Sequence, residues 1–114
     1  MKTTPTSLAA KTLAKGDCGL FGWTPDQARE FIFYADETGG KFAVDGQVRI
    51  LTSTDPFPAK SYVDAQGRPI SITLGQAELM NGGMRYPAAR IRSETDEGWE
   101  RLTPVALVES CQPA

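Results

Sequence analysis

From Phe31 onward, short apolar or alternating runs are separated by clusters of Gly, Pro, Asp and Asn. "FIFYA" is a compact apolar and aromatic run closed by "DETGG", whose residues supply turn chemistry, so a strand followed by a hairpin loop is expected there. "KFAV" leads into Asp45 and Gly46, a pair that takes the positive φ angles of a two-residue hairpin turn, and "QVRILTST" follows. This is the strongest hairpin signal in the chain. In "SYVDAQGRPISITL", Ile70, Ile72 and Leu74 alternate with Ser71 and Thr73, the period of a strand buried on one face, with the turn at Asp64 to Arg68.

Other stretches break the rhythm. "PFP" at 56–58 ends a ladder, because proline donates no backbone hydrogen bond and restricts the residue before it. In "MRYPAARIRSE", Met84 and Tyr86 share one parity and Ala89 and Ile91 the other, with Pro87 between, which predicts an edge strand or a bulge that switches register. "QAELM" fits a short strand or one helical turn, and "WERLTPVALVES" reads as a last strand, or a pair of strands, interrupted at Pro104. Helix signals in the body are confined to "TPDQAREF": Thr24 can cap, Pro25 suits the first turn and Asp26 complements the dipole, so the pattern admits one short helix near 25–31.

In residues 1–15, Leu8 and Leu13 are too sparse for a buried stripe, so these residues are expected to form a flexible N-terminal tail ahead of a single β domain at 16–114. The fold class is all-β, an antiparallel β-barrel or sandwich of about seven to nine short strands. Nothing leaves room for a nucleotide-binding βαβ unit.

Composition narrows the chemistry. A chain of 114 residues makes one domain with its own core, and a net charge of −2 gives no global electrostatic case for a nucleic-acid partner. No apolar run approaches the roughly 18 residues of a membrane span. Thr, Pro, Ser and Lys interrupt the first 17 residues, so no signal peptide is visible. The chain has no histidine, which removes Ser-His-Asp and Cys-His catalysis and imidazole metal sites together. The expectation is a non-catalytic protein without metal or cofactor. Gly16, Gly19 and Gly22 recur every third residue but form neither a dinucleotide fingerprint nor a phosphate-cradling loop.

Cys18 opens the β domain and Cys111 closes it. A thiol without an evident base gets little help in ionising, and two thiols cannot make a four-thiolate metal site. A disulfide that brackets the domain is the favoured reading, with buried free thiols the alternative. A disulfide implies an oxidising compartment, periplasmic or secreted with a leader removed; reduced thiols imply the cytoplasm.

For recognition, Arg85, Arg90 and Arg92 lie close in sequence to Tyr86 and, across the "TDEG" turn, to Trp99. These are residue types enriched in binding hot spots, although Glu94, Glu97 and Glu100 are interleaved and could simply neutralise them. Arg85 points away from Arg90 and Arg92 unless a bulge at Pro87 resets the register. Paired carboxylates drawn from Asp36, Glu37, Asp64, Glu78 and the acids of 94–97 are a distant route to hydrolysis.

Size, hairpins and bracketing cysteines are similar in outline to the small disulfide-tied β-barrel inhibitors of lysozyme from bacterial envelopes. The specific motif is missing: "STDPFPAKSY" has Ser53 and Tyr62 but neither the Ser-Gly step nor a Lys-Gly partner, so no residue role is carried across. The functional expectation is a non-catalytic domain that binds a protein or glycan partner in the cell envelope. A cytoplasmic accessory subunit of a larger assembly is the alternative.

Overall fold

Nine strands arise from the runs read above, in a computed structural model that describes residue 8 and residues 13–44, 46–57 and 59–112. They are β1 (Cys18–Trp23), β2 (Phe31–Asp36), β3 (Gly39–Val44), β4 (Gln47–Ser53), β5 (Ser61–Asp64), β6 (Pro69–Thr73), β7 (Glu78–Met80), β8 (Gly83–Glu94) and β9 (Glu100–Cys111). All pairings are antiparallel, in the order β6-β5-β4-β3-β2-β1-β9-β8-β7, and a further pairing of β6 with β8 closes the sheet. The result is an eight-stranded barrel with β7 outside it.

The closure depends on β8. Its first residues pair with β7, Glu78 opposite Arg85, and its last pair with β6, Ile72 opposite Ile91. Between these two sets the register against β9 shifts from Tyr86 to Ala89, around Pro87. A bulge bends a strand and leaves residues out of the ladder, so the proline without an N–H sits where β8 is changing partners. Pro104 has a related solution. β1 pairs with β9 only from Ala106 onward, so β9 has a single neighbour at Pro104 and runs through it as one uninterrupted strand.

No helix forms among the described residues, and the helix near 25–31 is replaced by a hairpin loop. Thr24 does not cap a helix. Its amide donates to the Glu30 carbonyl at 2.9 Å and its hydroxyl oxygen accepts the Glu30 amide at 2.9 Å, which closes the loop across its base. Asp26 Oδ1 then accepts the Thr24 hydroxyl and the Ala28 amide, and Arg29 takes a φ of 48° that helical geometry excludes. "QAELM" becomes strand β7. At the Asp45-Gly46 turn, Val44 faces Gln47 and Gly46 has a φ of 73°; Asp45 itself lies outside the described residues.

Alternate residues fill the barrel. Leu20, Phe33, Phe42, Leu51, Tyr62, Ile70, Ile91, Val105 and Leu107 are buried and form one cluster. Gly22 faces the same interior. A Cβ there would lie 2.8 Å from the Leu107 side chain and 2.9 Å from that of Val105, so the missing side chain is what lets these β9 core residues approach β1. Cys18 pairs directly with Cys111 across β1 and β9, and the two form a disulfide. Leu8 reaches the barrel wall, its amide donating to the Phe31 carbonyl at 2.7 Å, and it packs against the core cluster.

Candidate binding surface

Because Leu20 and Gly22 point inward on β1, Phe21 and Trp23 point outward. On β2 the register slips by one residue beside Trp23, which brings Phe31 opposite it, while Tyr34 stands opposite Phe21. The four rings make one patch on the outer wall. Phe21 and Trp23 have centroids 6.2 Å apart with planes 18° from parallel, Trp23 and Phe31 are 5.5 Å apart, and Phe21 meets Tyr34 edge-on at 5.2 Å. Gly19 lies beneath them, since a Cβ there would come within 3.1 Å of the Tyr34 ring and 3.0 Å of Phe21 and Leu13. Phe21, Trp23 and Phe31 stay half-buried and stand outside the core cluster.

Neighbouring strands give this patch a rim. Lys41, Tyr34, Phe21, Val108, Arg85 and Glu78 are successive cross-strand partners on β3, β2, β1, β9, β8 and β7. Arg85 donates to Glu78 Oε1 from Nε at 3.1 Å and from Nη2 at 2.5 Å. The Tyr34 hydroxyl donates to Asp36 Oδ2 at 3.0 Å. Burial, then the bond to Asp36 and the charges of Asp36 and Asp17, push the Tyr34 phenol up to about 12. Burial also raises Tyr62, assisted by the charges of Asp55 and Asp36, and it raises Tyr86, assisted by Glu109.

Each phenol therefore holds its proton more tightly folded than unfolded, so this share of stability is present below the ordinary pKa of 10 and is lost as pH rises beyond it. Ultraviolet absorbance titration should show no tyrosine ionising at its ordinary pH while the barrel stays folded. A normal titration in the folded protein would contradict these environments.

The residues singled out from sequence are divided by the fold. The bulge at Pro87 does reset the register: Arg85 sits opposite Val108, and Arg90 and Arg92 sit opposite Pro104 and Leu102 on the same outer side. Arg85 belongs to the rim of the aromatic patch. Arg90 and Arg92 lie beyond the bulge, opposite Thr73 and Ser71, and Arg92 Nε is 2.8 Å from Glu100 Oε2. Tyr86 does not share this surface. It is only 8% exposed, turned into the core, with its hydroxyl donating to Glu109 Oε1 at 3.5 Å. Trp99 is 72% exposed on the β8–β9 turn, which the Thr95 amide closes onto the Trp99 carbonyl at 2.8 Å.

The acids are also dispersed. Asp36 accepts Thr38 and Tyr34, Glu78 holds Arg85, and Asp64 belongs to a polar cluster at the far end of the barrel. There Asp64 Oδ1 accepts the Gln66 and Arg68 amides at 2.9 Å each, Oδ2 accepts Arg68 Nε at 2.8 Å, and Arg68 Nη1 continues to Asp96 at 2.8 Å. Desolvation alone would raise the Asp64 carboxyl. The bonds from Arg68 and Gln66, with the Arg68 charge, outweigh it and hold Asp64 below the ordinary 3.8.

Sequence reasoning passed over Phe21, Trp23 and Phe31 as a surface. The signal was there: in "CGLFGW" both parities carry apolar residues, and a β1 solvated on one face would alternate polar and apolar. Comparison with protein families, with curated proteins and with solved structures finds no match to this chain. No helix among the described residues is long and apolar enough to cross a membrane.

Proposed function

We propose that this is a non-catalytic binding domain of the cell envelope whose outer aromatic face, built by β1, β2 and β9, takes a protein partner. One observation carries the reading: Phe21, Trp23 and Phe31 contact one another on the outside of a barrel whose core is made by other residues. An apolar aromatic centre beside Val108, bordered by Lys41 and the Arg85–Glu78 pair, has the centre and rim of a protein interface. The Cys18–Cys111 disulfide supports work in an oxidising compartment.

The test uses the oxidised protein as bait in envelope extract from its host, with Trp23→Ser on the patch and Arg90→Ala off it. A hot-spot ring contributes about 2 kcal/mol or more, so the Trp23 variant should bind its partner roughly 30-fold more weakly while the Arg90 variant is unchanged. A partner held equally by all three proteins would sink the assignment of this face. Saturable quenching of Trp23 emission by soluble glycans, with no protein retained, would replace the protein partner by a glycan.

A further inference from the structure

The polar cluster at the far end of the barrel contains a cation that its neighbours do not satisfy. β4 pairs with β5 only from Leu51, opposite Asp64, so Gln47 to Ile50 run past the end of β5 and face the turn that leads into β6. A cleft of about 190 Å³ opens between them, lined by Gln47, Arg49, Asp64, Gln66 and Arg68. Arg49 alternates with the outward Val48 and Ile50, so it points inward, and its side chain is only 6% exposed. Its Nε and Nη1 are buried without a hydrogen-bond partner among the described residues.

Asp64 does not resolve this. Its Oδ2 is 3.8 Å from Arg49 Nη1, beyond hydrogen-bond distance, and is already taken by Arg68 Nε at 2.8 Å. Its Oδ1 is occupied by two backbone amides. Arg68 has a carboxylate on each side, Asp64 and Asp96; among the described residues Arg49 has only the distant edge of one. A buried guanidinium with unbonded donors is destabilising, and an apolar side chain of similar volume would avoid that cost. An open cleft beside such a group is where an anion would complete it.

We propose that this cleft binds a carboxylate, which Arg49 receives with the Gln47 and Gln66 side chains beside it. The guanidinium is matched to planar carboxylate and to phosphate alike, but Asp64 in the same lining disfavours a dianion, so a singly charged carboxylate group fits better. The volume corresponds to roughly six waters, room for a small organic acid or for the acidic side chain of a docked peptide. The cleft is on β4 and the β5–β6 turn, and the aromatic face is on β1, β2 and β9, so the two assignments succeed or fail separately.

The experiment is thermal unfolding and calorimetric titration at ionic strength held constant with chloride, using propionate, inorganic phosphate and an end-capped peptide containing one Glu. Wild type, Arg49→Met and Gln66→Ala are compared. Propionate or the peptide should raise the wild-type midpoint saturably, with affinity at least tenfold lower in Arg49→Met and several-fold lower in Gln66→Ala. Tighter binding of the peptide assigns the carboxylate to a macromolecular partner, and tighter binding of propionate to a free acid. No saturable rise in wild type, an equal rise in Arg49→Met, or preference for phosphate overturns the proposal. If Arg49→Met does not fold, Arg49→Gln takes its place with the same expectations.

Discussion

Replacing Cys18 and Cys111 together by serine is expected to lower the unfolding free energy by about 4–5 kcal/mol, a large part of the roughly 5–15 kcal/mol typical of a small domain. The two residues are 93 positions apart and face each other in the β1–β9 ladder. In the chain-entropy account, the bond withdraws loop freedom from the unfolded chain and adds little to a folded state in which six residue pairs already join these strands. The barrel should therefore keep its strand content while its denaturant midpoint falls sharply. Chemical denaturation of oxidised wild type and the double serine variant measures this directly. A loss below about 1 kcal/mol would show that the unfolded chain is already restrained without the bond.

The second large effect is expected at Asp64. Asp64→Ala removes the acceptor of three hydrogen bonds and, among the described residues, the one carboxylate within 4 Å of the buried Arg49, a change that costs about 3–5 kcal/mol when one partner of a buried pair is deleted. Asp64→Asn keeps the shape and removes the charge, so it separates packing from electrostatics. In wild type the folded Asp64 carboxyl lies below its ordinary value of 3.8. Its contribution is thus fully present above that value and disappears as pH falls through the lower folded one. Unfolding free energy measured against pH should show this acid loss in wild type and a shallower slope in Asp64→Asn. Identical slopes would remove Asp64 from the account of acid stability.

Much of the architecture was legible because hairpins are local. The alternation of Ile70 and Ile72, the Asp45-Gly46 pair and the parity change around Pro87 each set a strand, a turn or a bend within a few residues. Closure was not legible. It depends on β6 meeting β8 and β1 meeting β9, contacts between residues far apart in sequence, which no short pattern encodes. The helix admitted near 25–31 failed for a related reason: Thr24 has two hydrogen bonds available to Glu30 across a hairpin, and that tertiary choice outweighs a weak local cap.

The candidate surfaces divide the same way. Arg85, Arg90 and Arg92 were found by their spacing, yet which of them shares a cross-strand row with the aromatic face depends on β1 lying beside β9, not on the tyrosine next in sequence. Arg49 gave no signal at all. In "QVRILTS" it looks like an outward polar residue between apolar ones, whereas it is Val48 and Ile50 that face outward and Arg49 that is enclosed.

Pairing the first strand with the last also orders events in time. β2 can join β1 early in synthesis, but the other edge of β1 has no partner until residues 106–111 are available. A nascent chain held before that point carries an open sheet edge and an apolar interior facing water, the state in which β proteins associate wrongly. Closure therefore waits for β9, and the strand that seals the second edge of β1 is the same one that carries Cys111 to Cys18, so barrel and crosslink are completed together.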